Sequence, residues 1–255
     1  MRRVILASLL LLVLPYACVG ELRPTEPGGT VVAEAEPSPR EIADARFEAV
    51  EQLFQEGLAR VLAKKTGISG EESLKIVTAA YRASNVEGID VFRTLGFIVA
   101  ESWGRKEAVS KVGARGLMQI MPATGRLIAA AQAESWQGNG SLHEIDLNVR
   151  YGVWYYRDLL ETFGGDENAA MAAYNWGPKH IAYRIRSGRS LPEVYPSKVL
   201  EAEREFREAF RNENRDFIWR SYSRAERILS DRRSAGKPED SPNSGSILGS
   251  LPPGP

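Results

Sequence analysis

The fold is decided by the stretch IDVFRTLGFIVAES, residues 89–102. Its apolar residues recur at three- and four-residue spacing, which is typical of the buried face of an α-helix: Val91, Leu95, Ile98 and Val99. Asp90 precedes the run and can cap the helix by accepting a backbone N–H. The stretch therefore predicts a helix that packs in a protein core and carries Glu101 at its C-terminal end.

The same helical signals continue on both sides of this stretch. Further helices are predicted from Glu41 to Thr66, from a Ser69–Glu72 capping box to about Ala83, from Pro122 to Ala131, from an Asp146 cap to Gly164, from an Asp166 cap through Ala173, and from Pro178 onward. Few alternating β-branched runs interrupt the series, and only residues 106–119 leave room for a small hairpin. We therefore predict a mainly α domain with at most a small β-hairpin.

The composition argues against several classes of protein. Hydrophobic residues make up 43% and charged residues 26% of the 255-residue chain, which is ordinary for a globular domain. Lys+Arg and Asp+Glu are equal at 33 each, so no basic surplus indicates a nucleic-acid partner. Cys18 is the only cysteine, and the two histidines, His143 and His180, are far apart in sequence. We expect no internal disulfide, no metal site and no cofactor.

The first 20 residues have the pattern of a secretory signal peptide. Arg2 and Arg3 form a basic start, and the apolar run Val4–Leu14 is shorter than the roughly 20 residues that cross a bilayer. Cys18 follows this run, at the place where bacterial lipoproteins carry their lipidated cysteine. We expect export to the periplasm, with an outer-membrane lipid anchor at Cys18. The alternative is an incidental cysteine inside a cleaved signal.

The remaining chain divides by composition. A Pro-, Gly- and Glu-rich stretch predicts a disordered linker, and the C-terminal residues predict a disordered tail. The predicted parts are a linker over 21–40, N-terminal helices that pack on the domain over 41–88, the main domain over 89–199, C-terminal amphipathic helices over 200–233 and the tail over 234–255.

Three segments carry the chemical signal. They are Phe97–Ser102, Gly113–Thr124 and Ala172–Pro178, the last followed by Tyr195–Val199. Glu101 follows an apolar helical run and lies near a helix C-terminus, and both the loss of solvent and the helix dipole raise a carboxyl pKa. Such a group can protonate a glycosidic oxygen near neutral pH. The segments contain no obvious second carboxylate, because Glu107 is read as a solvated loop charge and Asp146 as a helix cap.

In this order and spacing, the segments resemble the soluble lytic transglycosylase family, whose catalytic domain is similar to goose-type lysozyme. The resemblance covers residues 89–199 and implies a lysozyme-like helical catalytic domain. It also implies cleavage of the bond between N-acetylmuramic acid and N-acetylglucosamine in peptidoglycan. In this family one Glu, here Glu101, acts first as acid and then as base. The product carries a 1,6-anhydro ring, and neither metal nor cofactor takes part.

The resemblance assigns further site roles to six residues: Ser110, Gln119, Met121, Tyr174, Asn175 and Tyr195. Ser110 matches a serine that hydrogen-bonds the catalytic carboxylate or the bound acetamido group, the alternative being a loop serine that caps a turn. Gln119 and Met121 match residues that line the neighbouring sugar sites. Tyr195 matches a tyrosine whose hydroxyl lies near the catalytic Glu. Tyr174 belongs to the Ala-Tyr-Asn motif and is read equally as a core residue.

Two other functions stay open from the sequence. A goose-type lysozyme would hydrolyse the same bond with water, and the segment around Glu101 is compatible with it. A non-catalytic cell-wall-binding or assembly protein is the other, although the combination of Glu101, Ser110 and Gln119 favours an enzyme. After Ser102 this chain has Trp-Gly-Arg where many relatives have an aromatic residue followed by Asn-Pro, so the loop at that point is expected to differ.

Overall fold

The computed structural model describes residues 39–213, and the structural statements that follow concern this range. Several predictions therefore lie outside the described residues. They are the signal peptide over 1–20 with its lipidated Cys18, the linker over 21–40 apart from its last two residues, the part of the C-terminal segment after residue 213, and the tail over 234–255.

The described chain is built from α-helices, which confirms the mainly α prediction. The helices are α1 Pro39–Thr66, α2 Gly70–Glu87, α3 Val91–Ser102, α4 Pro122–Ala131, a 3₁₀ helix Asn139–His143, α5 Ile145–Thr162, α6 Glu167–Trp176, α7 Pro178–Arg186 and α8 over 194–213. Within residues 39–213, β-pairing is confined to two isolated bridges that join Arg115 to Val109 and to Ile120. In the same range, no helix combines the length and apolar character needed to span a membrane.

Local capping signals explain most of the helix starts. Side-chain oxygens of three predicted cap residues accept backbone N–H bonds at 2.8–3.2 Å: Ser69, Asp90 and Asp166. The prediction for Asp146 is wrong, because Glu144 occupies the N-cap position and Asp146 lies inside the first turn of α5. The 3₁₀ helix ends directly before this point, and Asn148 N already donates to Glu144 O at 2.9 Å. The helix therefore begins earlier, and the carboxylate of Asp146 lies near the positive end of its dipole.

The central helix of the packing is α5. It contacts α2, α4, α6 and the 3₁₀ helix, while α2 also contacts α1 and α3, and α6 contacts α7. Fully buried aromatic rings fill the space between these helices, among them Phe97, Tyr151, Tyr156 and Phe206. Phe97 of α3 contacts Tyr156 of α5, with 4.7 Å between the ring centroids, so this packing supports the end of α3 that carries Glu101.

Helix α8 runs antiparallel along α3. Contacts between the two helices ascend along α3 as they descend along α8: Asp90 with Arg207, Arg93 with Glu203, Ala100 with Lys198 and Glu101 with Tyr195. Gly96 lies at the closest approach, since a Cβ there would lie 2.9 Å from Val199 O and 3.2 Å from Glu203 Cβ. The helix also continues through the boundary predicted between residues 199 and 200.

Candidate active site

Glu101 lies in the last turn of α3, directly after four buried residues of the same helix: Phe97, Ile98, Val99 and Ala100. Burial raises the pKa of its carboxyl above the ordinary value. The hydrogen bond from Tyr195 and the positive charge of Lys198 act in the opposite direction and lower that pKa. Glu101 is therefore a carboxyl group whose protonated form is favoured by burial and whose ionised form keeps two stabilising partners.

Tyr195 is the residue of α8 that hydrogen-bonds Glu101. Its phenol donates a hydrogen bond to Oε1 of Glu101, and its side chain is buried, with 9% of its surface exposed. Burial, followed by the negative charge of Glu101, raises the pKa of Tyr195 well above its ordinary value. The phenol thus stays protonated at neutral pH and remains a donor to the carboxylate.

Lys198 lies one helical turn further along α8. Its Nζ donates to the backbone carbonyl of Ala100 near the C-terminal end of α3. That bond satisfies one of the carbonyls that a helix end leaves without a partner and holds the ammonium group beside Glu101. Among the described residues, Lys198 is the charged side chain that shifts the pKa of Glu101, and no second carboxylate does so.

Tyr174, in α6, packs against the ring of Tyr195. Its ring is parallel to that of Tyr195, with an interplanar angle of 4° and 6.5 Å between centroids. Phe97 packs against both rings, at 4.9 Å from Tyr174 and 6.3 Å from Tyr195. The phenol of Tyr174 donates to Met118 O at 2.9 Å. Tyr174 therefore connects the end of α3 that carries Glu101 to the glycine-punctuated loop that follows it.

This loop, residues 106–121, is folded partly by its own polar side chains. The hydroxyl of Ser110 accepts a hydrogen bond from Ala114 N at 3.0 Å, which closes a turn. Gln119 has a left-handed backbone (φ 49), and its amide nitrogen donates to Gly116 O at 2.9 Å and to Ala108 O at 3.2 Å. What these two side chains can still offer a ligand is the hydroxyl proton of Ser110 and the amide carbonyl of Gln119.

Asn148 anchors the loop from α5, and the sequence reasoning missed it. Its Oδ1 accepts from Met118 N at 2.7 Å, and its Nδ2 donates to Arg115 O at 2.9 Å and to Leu142 O at 2.8 Å. The side chain is buried, so these bonds replace the water that it loses. A polar amide among the apolar residues of a buried helix face is the signal that could have revealed it.

The contacts of Asn148 also explain why position 116 of the loop is a glycine. Gly116 has a φ of 79, and a Cβ at this position would lie 2.2 Å from Leu142 O and 2.3 Å from Asn148 Nδ2. Leu117 and Met118 are fully buried beneath the loop. The loop thus has an anchored, buried part, whereas Ser110 and Gln119 are only half-buried.

The remaining predicted residues are at the surface. Met121 occupies the N-cap position of α4 and is 38% exposed, and Asn175 is exposed in the last turn of α6.

The described contacts join Glu101, Tyr195 and Tyr174 directly, whereas they link Ser110 and Gln119 to this group only through the loop. Glu107 is an exposed loop residue, with 73% of its side chain accessible. In the part of the chain that the structure describes, no three His, Cys, Asp or Glu side chains cluster as a metal site would require.

Comparisons with known proteins find similarity in the region of the chain that contains Glu101. The family described as "Transglycosylase SLT domain" matches residues 79–193. The chain is 34% identical over 97 residues to the soluble lytic murein transglycosylase of Salmonella typhimurium, a match that covers 37% of this chain and 15% of that protein. It is 32% identical over 119 residues to the transglycosylase of Enterobacteria phage PRD1, covering 47% of this chain and 39% of that protein. The chain therefore spans well under half the length of these relatives.

A solved structure is similar as well. The 70 kDa soluble lytic transglycosylase Slt70 of Escherichia coli superimposes with a TM-score of 0.42 and 22% sequence identity, over 76% of this chain and 31% of that one.

Proposed function

We propose that the chain is a lytic transglycosylase of peptidoglycan. The premise is that it belongs to the transglycosylase SLT domain family. Its substrate would be the glycan strand, cut at the bond between N-acetylmuramic acid and N-acetylglucosamine. The observation that carries the proposal is a partly buried Glu101 whose pKa is raised by burial and whose carboxylate accepts a hydrogen bond from Tyr195.

In the first step Glu101 acts as the general acid. Its protonated carboxyl donates a proton to the glycosidic oxygen while the bond from that oxygen to the anomeric carbon of the muramic acid breaks. A carboxyl that has lost part of its solvent is suited to this step, because it remains protonated closer to neutral pH. The 2-acetamido group of the sugar itself stabilises the positive charge that develops at the anomeric carbon.

In the second step the same residue acts as the general base. The ionised Glu101 removes the proton of the sugar's C6 hydroxyl, whose oxygen bonds to the anomeric carbon and closes the 1,6-anhydro ring. Glu101 ends the cycle protonated, and no water is consumed. Tyr195 and Lys198 support this step, since a phenol donor and an ammonium charge both stabilise the carboxylate.

The loop over 106–121 supplies the proposed contacts to the sugars. The hydroxyl of Ser110 and the amide carbonyl of Gln119 are suited to acetamido and hydroxyl groups of the sugars. The exposed thioether of Met121 and the amide of Asn175 would extend this surface. We propose that Tyr174 supports the site from beneath, since its phenol is already donated to Met118 O.

Mass spectrometry of the digested glycan tests the proposal. Purified peptidoglycan incubated with the full chain should release muropeptides with 1,6-anhydro ends, and a Glu101→Gln variant should release none. Reducing-end products would instead identify a goose-type lysozyme-like hydrolase. Binding to peptidoglycan with no product from the wild-type chain would identify a cell-wall-binding or assembly protein.

Export is a separate proposal that depends on residues 1–20. We propose that this segment directs the chain to the periplasm and that Cys18 becomes lipid-anchored to the outer membrane, where peptidoglycan is within reach. Radiolabelled palmitate should be incorporated into the wild-type protein and not into Cys18→Ala. Equal labelling of the two, or labelling of neither, would contradict the anchor.

A further inference from the structure

A buried carboxylate in α8 has no part in the chemistry proposed above. Glu203 is only 9% exposed, and Arg93 of α3 donates to its Oε2 through Nε. Arg207, one turn further along α8, donates to Oε1 at 2.8 Å. A carboxylate at this depth is stable only when cations and hydrogen bonds replace its water, and two guanidinium groups do so here.

Arg93 is itself fixed from two further helices. Its guanidinium donates to the phenol of Tyr156 in α5 at 2.9 Å and to Glu167 in α6 at 3.1 Å. The guanidinium therefore cannot follow a displaced α8, because other elements hold it in place. The bond to Glu203 ties α8 to a point that belongs to the rest of the domain.

The position of this bond along α8 determines where the other end of the helix lies. Glu203 follows Tyr195 by eight residues, which is about 12 Å along a helix axis. Between them, the backbone of Val199 faces Gly96, where α3 and α8 approach most closely. A straight helix that is held at Glu203 and in contact at Gly96 has little freedom to slide at Tyr195.

We propose that Glu203 is a positioning residue that, through its bond to Arg93, holds α8 in register with α3 and thereby keeps the Tyr195 hydroxyl and the Lys198 ammonium on Glu101. The family match ends at residue 193, so Glu203 and the other α8 residues of this register lie outside the matched region, whereas Arg93 and Gly96 of α3 lie within it. The effect on catalysis rests on the proposed function, whereas the effect on the ionisation of Glu101 does not.

The expected consequence concerns the carboxyl of Glu101. The titratable and charged groups that face it are Tyr195 and Lys198 from α8 and Tyr174 from α6. The two groups of α8 lower its pKa, so a loosened α8 should raise it further. A purely structural role of Glu203 would lower thermal stability and leave this titration unchanged.

The test is an NMR titration of the full chain labelled with ¹³C at the Glu carboxyls, with the Glu101 signal assigned from its loss in Glu101→Gln. The titration midpoint of Glu101 should rise in Glu203→Gln and stay unchanged in the control Glu205→Gln, which removes a more exposed ion pair of the same helix with Lys65. In a Tyr195→Phe background, the same Glu203→Gln change should raise the midpoint by clearly less. An unchanged midpoint, or an equal rise in both backgrounds, would overturn the proposal.

Two additions keep the test decisive. If Glu203→Gln does not fold, Gly96→Ala perturbs the close approach of α3 and α8 without removing a charge. It should also raise the titration midpoint of Glu101. In the activity assay, Glu203→Gln should lower kcat by about 10-fold with little change in KM, as expected for a displaced catalytic partner. If the wild-type chain shows no activity, the proposed function fails, and the titration still decides the role of Glu203.

Discussion

The phenol of Tyr195 donates a hydrogen bond to the carboxylate of Glu101 across 94 positions of sequence. The bond favours the ionised carboxylate, while burial of the same group favours the protonated form. In the proposed mechanism one residue acts as an acid and then as a base, and this opposition suits it because neither form is strongly excluded. The predictions below follow from this pair and from the loop beside it.

Replacing Glu101 with Gln should abolish turnover, because an amide cannot supply the proton. We expect kcat to fall by at least about 100-fold, the usual contribution of a general acid, with glycan binding retained. Release of anhydro-muropeptides and sedimentation with insoluble peptidoglycan measure the two effects. The matched control is Glu107→Gln in the exposed loop, which should keep full activity. Near-normal turnover by Glu101→Gln would refute the mechanism.

Replacing Tyr195 with Phe should move the pH profile of the reaction upward. The change removes the hydrogen bond that lowers the pKa of Glu101, so the carboxyl stays protonated to higher pH. The alkaline limb of kcat against pH should therefore shift to higher pH, and kcat at the wild-type optimum should fall by about 10-fold. Tyr183→Phe is the control, since that side chain is 49% exposed. A shift of the limb toward lower pH would contradict the role of Tyr195.

The stability of the protein should depend on the ionisation of Glu101. Burial raises its folded-state pKa, so the folded protein binds this proton more tightly than the unfolded chain does. The resulting stabilisation is fully present below the unfolded-state pKa, about 4.3, and is lost as pH rises through the folded-state pKa. Glu101→Gln does not titrate, so its Tm relative to wild type should increase over that interval. Paired thermal melts of the two proteins at several pH values measure this difference.

The loop over 106–121 should tolerate alanine at one glycine far better than at another. Gly116→Ala would place a Cβ 2.2 Å from Leu142 O and 2.3 Å from Asn148 Nδ2, and we expect a loss of about 3 kcal/mol in the free energy of unfolding. Gly113→Ala has a similar positive φ of 91 with nothing within 4 Å, so it should lose only about 1–2 kcal/mol. Denaturant titrations of both variants isolate the contribution of the close contact. Equal losses would show that the backbone conformation alone requires glycine.

Most helices could be predicted because their signals are local. Ser69, Asp90 and Asp166 cap their own helices through atoms two or three residues away, and Pro122 and Pro178 begin theirs. The prediction failed where a neighbouring element changed the start of a helix, since the 3₁₀ helix before α5 moved the cap from Asp146 to Glu144. Two helices also extend beyond their predicted ends, α2 to Glu87 and α6 to Trp176.

The sequence by itself determined the mainly α fold, the position of Glu101 at a helix end and the motif segments around it, because helix periodicity and capping act within a few residues. Only the tertiary structure decided which groups touch that carboxyl. Tyr195 and Lys198 reach it because α8 packs antiparallel on α3, and that packing depends on contacts such as Arg93 with Glu203, 110 positions apart. The buried amide of Asn148 likewise became meaningful only once the loop was folded over it. Contacts of this kind have no local signature, since they are set by how the helices pack together.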